Sequence, residues 1–400
     1  MIGNIGIVGV IISIYFLYII IFKEYNNMFK IFFITSILTT TTFINFSNNS
    51  ITVPQIIALL FFIKIINDII ANKLKIYKVN IFLVVFIMYS IIIWMIKLLF
   101  NFNIIGSLSQ ILYLLLSVSV FYSTYILIKN NKISILDFDK AIRDTTKIIF
   151  LISFLEIINV DIFKYYFKNR IGHIFINTLE NGEYRLSATF NEPSMLATFL
   201  SITLIYFTFS AFKRKSDCIY VAGIIIIGLL SKASTFILAI VIWIIIILFY
   251  LLKNIKIDKI FLYTIILIVM YIYIDKNYNN AISNQMLSLI NKINGNGVSG
   301  YERTYIMQES FKLFKQNMIF GLGFGVNRST DLFTTLLSNS GIIGFICIIL
   351  FWSKCAISRR NTDYKIKSLK LGFILCLILM LVSVPEPYFN YFWIIVSFII

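Results

Sequence analysis

In the stretch RLSATFNEPSMLATFL, from Arg185 to Leu200, a polar segment holding one arginine and one carboxylate runs straight into an apolar helix. Pro193 follows Asn191 and Glu192, and proline at the first helical position behind a polar capping residue marks a helix start. The positive end of that helix, with the guanidinium of Arg185 nearby, favours a bound phosphate or diphosphate. Glu192 would repel such an anion unless set back from it, so it reads either as a general base beside the anion site or as a capping carboxylate. A second polar stretch, YERTYIMQESFKLFKQ, carries Arg303 on a predicted amphipathic helix over Tyr301 to Asn317, from which it can face the same site. Gly321, Gly323 and Gly325 of GLGFG follow that helix. They allow a tight turn but, with no strand before them, give little support for a phosphate loop.

The elements that must position these residues are membrane helices. Of 400 residues, 59% are hydrophobic, 16% aromatic and only 13% charged, with a mean hydropathy of +0.90. A soluble domain cannot bury that much apolar surface, so the solvent is lipid. Runs long enough to span fall near 4–22, 29–46, 53–70, 79–99, 108–128, 147–163, 193–210, 218–231, 234–252, 259–275, 333–352, 369–384 and 388–400. The expectation is one all-α polytopic membrane domain over residues 1–400, with about 12–13 transmembrane helices and a large outer-face loop containing the amphipathic helix. The first run has no basic head and is long enough to be a retained span rather than a cleaved signal.

Charge fixes the orientation. Loops 23–30, 71–78, 129–147, 211–217, 253–259 and 353–370 hold 22 of the 35 Lys and Arg residues, which makes them cytoplasmic. Both long polar segments, 164–192 and 276–332, then lie on the outer face and form the expected active site. Their arginines, Arg170, Arg185, Arg303 and Arg328, stand there despite the bias against positive charge, a bias that long translocated loops partly escape. The net charge of +17 is scattered through short loops, so it is a topology signal and does not indicate nucleic acid. Cys218, Cys347, Cys355 and Cys376 lie in or beside apolar runs, with no C-x-x-C pair, and read as small apolar residues. Asp137 and Asp139 form a D-x-D pair of the kind that binds a metal in nucleotide-sugar enzymes. Their loop is short and on the cytoplasmic side, which favours a solvated loop.

Taken together, RLSATFNEPSMLATFL, LLSKASTFILAI at Leu229 to Ile240, YERTYIMQESFKLFKQNMIFGLGFG and TDLFTTLLSNSGIIGFI at Thr330 to Ile346 resemble the Wzy-type O-antigen and capsular polysaccharide polymerases and their relatives, the O-antigen ligases. The motifs cover about the C-terminal half of the chain. The resemblance implies a metal-independent glycosyltransferase, without cofactor, in the bacterial cytoplasmic membrane, its active site facing the periplasm or the exterior. Its substrates would be undecaprenyl-diphosphate-linked oligosaccharides in membrane lipid, and a chain-length regulator and a flippase are its implied partners. Arg185 and Arg303 match positions where the family carries arginines for the diphosphate, and Lys232 stands where the family often has the arginine of Ser-Arg. Ligases commonly open their last motif with His-Asn; here Thr330 and Asp331 occupy those places, which favours a polymerase and makes Asp331 a second candidate base beside Glu192. The one histidine, His173, does not fit that motif and reads as a surface residue. A flippase for lipid-linked sugars is the competing class by composition. Transporters generally carry internal repeats and mid-membrane charges, whereas here no convincing repeat is found and Lys64, Asp68, Lys97 and Glu156 lie mostly near span ends.

Overall fold

A computed structural model describes residues 6–45, 50–99, 105–158, 160–170, 184–254, 298–358 and 363–400. Fourteen α-helices run through the described residues: α1 (Ile7–Phe22), α2 (Tyr25–Thr35), α3 (Val53–Ile70), α4 (Ile81–Leu99), α5 (Ile105–Lys129), α6 (Ile135–Ile158), α7 (Val160–Phe167), α8 (Pro193–Ala211), α9 (Cys218–Leu230), α10 (Ser234–Asn254), α11 (Val298–Gln316), α12 (Leu332–Ile357), α13 (Tyr364–Ser383) and α14 (Asn390–Ile399). Six of them, α3, α4, α5, α8, α12 and α13, are long and apolar enough to cross a membrane, and α1, α10 and α14 add shorter apolar helices. The chain is thus an all-α polytopic membrane protein. The run expected at 259–275 lies outside the described residues.

Packing follows from composition. Helix α8 is apolar on every side and is the most enclosed of the six, with 89% of its span buried. Its hydroxyls are absorbed locally: Thr198 and Ser201 donate to carbonyls one turn back, and Thr198 also meets the Tyr391 hydroxyl at 2.8 Å. Helix α13 packs along α8, and α14 packs along α5. Helix α4 instead turns Val84, Met88, Ile92 and Met95 outward, as a lipid-facing helix must.

Three expected spans take another form. The run at 29–46 is helical only to Thr35, where the Thr35 and Ser36 hydroxyls bond back to the Phe32 and Phe33 carbonyls. Beyond them a run of four threonines, β-branched and poor in helix propensity, becomes irregular and then extended. Strand β1 (Thr42–Asn45) pairs antiparallel with β2 (Ser50–Thr52). This non-helical backbone is tolerated because it is buried in protein: the Thr40 and Thr41 hydroxyls donate to the Phe167 carbonyl at 3.0 Å. The expected 147–163 span belongs to α6, which starts twelve residues earlier, at Ile135, so much of the loop assigned to 129–147 is helix. Helix α12 breaks at Gly341 (φ 59°, ψ −168°).

The carbonyls freed by that break are taken up by the glycine loop. Leu322 N–H donates to Ser338 O at 2.9 Å and Gly323 N–H to Asn339 O at 3.0 Å. Gly321 (φ 72°) touches the broken turn so closely that a Cβ there would sit 2.4 Å from Asn339 O. GLGFG is therefore a docking loop for the kinked helix.

The bundle has two polar ends. Helix α8 spans about 28 Å by its 19 residues; Pro193 marks what we call the upper end and Ser210 the lower. At the lower end the Arg143 guanidinium grips Asp217 through two bonds of 2.6 and 2.7 Å, and Ser210 donates to the same carboxylate. Burial alone would raise the Asp217 pKa, but these partners hold it below the usual carboxylate value. The upper end carries the segments around Arg185, Arg303 and Arg328.

Candidate active site

The loop bearing Arg185 is anchored from below by a residue the sequence reading left among the incidental charges. Glu156 of α6 is fully buried. Its carboxylate accepts the Lys168 ammonium at 2.9 Å, the Tyr184 hydroxyl at 2.5 Å and the Ala188 N–H at 2.6 Å. Lys168 donates in turn to the Ser187 hydroxyl. Ala188 holds φ 47°, a conformation that costs a non-glycine residue about 1–2 kcal/mol. The bond to Glu156 holds it there. From the other side, the Thr189 carbonyl accepts the Thr39 and Thr40 hydroxyls, each at 2.9 Å. A buried ionisable group inside a span was the available signal for Glu156, since such groups rarely sit there without a function.

Upon this anchored loop Arg185 is half-buried, and its Nε is buried with no hydrogen-bond partner among the described residues. Burial and the positive charge of Arg303 both lower the Arg185 pKa, while the Glu192 carboxylate acts in the opposite sense. The guanidinium remains charged regardless. Two cations from segments more than a hundred residues apart are thus held near enough to repel, and an anion between them relieves both the repulsion and the unmet donor. The charge of Arg185 is thus felt by one cation of α11 and by the carboxylate at the start of α8.

Lys232 adjoins this group through the backbone. Leu186 N–H donates to Leu230 O at 3.4 Å, which sets the Arg185 loop against the turn between α9 and α10. Lys232 sits in that turn at φ 48°, behind the buried Ser231, whose hydroxyl closes the end of α9 on Gly228 O.

The two candidate bases differ sharply in what their oxygens already do. Glu192 is the N-cap residue of α8, but its side chain makes no capping bond. The carboxylate is exposed and among the described residues accepts a single hydroxyl, Ser194 at 3.0 Å. Asp331 is buried at the N-terminus of α12, where it accepts the Thr334 N–H at 2.7 Å, the Thr334 hydroxyl at 2.6 Å and the Ser329 hydroxyl at 3.3 Å. Its geometry is that of a helix cap, a different duty from the expected catalytic one. His173 lies outside the described residues.

The D-x-D pair at the lower end is also committed. Asp137 accepts the N–H and hydroxyl of Ser134 at 2.9 and 2.7 Å. Asp139 accepts Tyr206 at 2.7 Å and the charged groups of Arg143 and Lys365, each at 3.2 Å. The expected solvated loop is instead a helix start and a buried ion network.

Among the described residues a cavity of about 790 Å³ lies between Lys97 at the end of α4 and the turn over 316–321, and two more are lined by the other polar segments of the upper end. The larger of these two, about 770 Å³, is bounded by Ser234, Thr235 and Leu238 of α10, Val382 and Ser383 of α13, Thr330 and Thr334, and the face of α11 that bears Arg303, Met307, Phe311, Lys312 and Lys315. Its lining pairs apolar surface with three cations. The stripe of α11 turned inward includes Arg303, Ser310 and Phe314, whereas Tyr305 and Ile306 are exposed. The smaller, about 230 Å³, is lined by amides, hydroxyls and aromatic rings together with Arg170, Arg328 and Glu386.

Fold and site define a multi-pass α-helical membrane protein with a cationic pocket at one end of its bundle. Residues 218–335 match the family model described as O-antigen ligase, a segment running from α9 to the first turn of α12. In this segment, which is under a third of the chain, the protein is similar to the O-antigen ligase family. A search of the curated proteins finds no relative.

Proposed function

We propose that the protein is a polysaccharide polymerase. It transfers a growing glycan from undecaprenyl diphosphate onto the next lipid-linked repeat unit, at the outer face of the bacterial cytoplasmic membrane. The observation that carries this reading is an upper-end cavity whose lining is both apolar and basic, with Arg303, Lys312 and Lys315 on it, together with the buried Arg185 Nε, which has no hydrogen-bond partner among the described residues. A prenyl diphosphate is both apolar and anionic, and so fits that lining.

The reaction is a single displacement. The acceptor's hydroxyl oxygen forms the new bond to the anomeric carbon of the donor sugar, and the bond from that carbon to the diphosphate oxygen breaks. The hydroxyl proton passes to the Glu192 carboxylate, and the bonding electron pair leaves on undecaprenyl diphosphate. Arg185 and Arg303 hold the charge that grows there, with Lys232 as a further cation. Guanidinium forks supply this neutralisation without a divalent metal.

An O-antigen ligase is the second reading, favoured by the description of the matched family. Against it stands Thr330-Asp331 at the place of the ligase His-Asn, with Asp331 engaged as a cap.

The test is surface-polysaccharide length on a gel, in a deletion strain complemented with wild type, Arg185→Ala, Arg303→Ala or Arg185→Lys. Deletion is expected to leave anchors capped with a single repeat unit. Each Ala variant, inserted at wild-type level, should lose on the order of a hundredfold in rate or more, and Arg185→Lys should also be poor because a point charge lacks the planar fork. Long chains from both Ala variants would overturn the site. Loss of all capped units, with lipid-linked units accumulating inside, would point to a flippase; loss of glycan transfer to the anchor while polymer persists, to a ligase.

A further inference from the structure

The smaller upper cavity lies beside the cavity proposed to hold the diphosphate, and two segments of the chain border both. The segment after the glycine loop borders both: Arg328 lines the smaller and Thr330 the larger. The end of α13 does the same, with Ser383 on the larger cavity and Glu386 on the smaller. An ion pair of 2.6 Å between Arg328 and Glu386 ties these two segments together. Asn191, the chain neighbour of Glu192, also lines the smaller cavity, and its Oδ1 is buried with no hydrogen-bond partner among the described residues.

The chemistry of this lining differs from that of its neighbour. The amides of Gln110 and Asn191 offer both donors and acceptors, and Tyr113 and Tyr388 stand edge to face with ring centroids 6.1 Å apart. Amides that read hydroxyl groups, combined with aromatic faces that cover the C–H surface of a ring, are what a sugar requires. The larger cavity is the more apolar of the two, and here Glu386 already takes the charge of Arg328, which leaves Arg170 as the further cation of the lining.

Resting on the polymerase reading above, we propose that this cleft seats the sugars of the acceptor repeat unit, while the larger cavity takes the donor's lipid diphosphate. The displacement demands such a division, because the acceptor hydroxyl must reach the anomeric carbon from the side opposite the leaving diphosphate. A sugar held against Asn191 lies next to the residue that receives its proton.

The probe is the repeat-unit oligosaccharide released from the strain's own polysaccharide by mild acid, which carries neither lipid nor diphosphate. Its binding to purified full-length protein in detergent is measured by calorimetry. Wild type should bind it saturably. Gln110→Ala and Tyr113→Ala, two independent positions on α5, should each weaken binding about tenfold, the loss of roughly one good polar contact. Arg185→Ala and Arg303→Ala should leave it unchanged while still failing to make polymer. Loss of binding in the arginine variants but not in the α5 variants would move the glycan into the larger cavity and overturn the proposal, with the polymerase reading intact. Absence of saturable binding to wild type would also overturn it. The polymerase reading itself fails only on the chain-length gel.

Discussion

Glu192 and Asp331 are both carboxylates at the start of a helix in the upper end, and the sequence offers no ground for ranking them. Their hydrogen bonds do. A base must have a lone pair free toward substrate, and buried Asp331 already accepts one N–H and two hydroxyls, whereas exposed Glu192 accepts only Ser194 among the described residues. Glu192→Gln should therefore cut the polymerisation rate by a factor of about 10² to 10⁴, the usual worth of a general base. The protein level should stay normal, because an exposed substitution of this kind alters stability little. Asp331→Asn separates the roles at the other position, since asparagine caps a helix as well as aspartate but cannot take a proton. It is expected to keep polymer length. Rate assays on both variants at matched protein level decide between them, and a dead Asp331→Asn beside an active Glu192→Gln would exchange their roles.

At the scale of the element, Gly341 does something no local pattern announces. Helix propensity runs on both sides of it, and the break exists because the loop from Met318 to Gly323 arrives to accept and donate bonds there, including Ile342 N–H to Met318 O at 2.9 Å. A Cβ at Gly341 would stand 2.3 Å from Ile319 O, in a region of φ and ψ that only glycine enters freely. Gly341→Ala should cost at least about 1–3 kcal/mol. It should be read as a lower thermal midpoint of the detergent-solubilised protein together with shortened polymer. An unchanged midpoint would mean that the loop does not depend on the break. What sequence patterns could show and what they could not divides along this line. The start of α8 at Pro193 and the bounds of α11 follow from local chemistry and were legible. The kink in α12 and the anchoring of Ala188 by Glu156 depend on partners more than thirty residues away or on another element, and periodicity carries no record of those.

For the whole molecule, function turns on which polar end faces the cytoplasm. The lower end gathers Arg143, Lys365 and Lys64 with their carboxylates and belongs to the loops richest in Lys and Arg. The upper end holds Arg170, Arg185, Arg303 and Arg328, and in the proposed orientation it is the side where positive charge is normally scarce. If the charge bias governs insertion, the arginines are retained against it, which is expected of residues that bind an anion delivered to the outer face. Cys218 is exposed at the lower end and Glu302 at the upper, whereas Cys355 and Cys376 are buried. In right-side-out spheroplasts, a membrane-impermeant maleimide should label a Glu302→Cys variant directly, and should reach Cys218 only after the membrane is opened. The reverse pattern would turn Arg185, Arg303 and Glu192 toward the cytoplasm, where lipid-linked units are still being built. Transfer onto finished units at the outer face would then be impossible at this site.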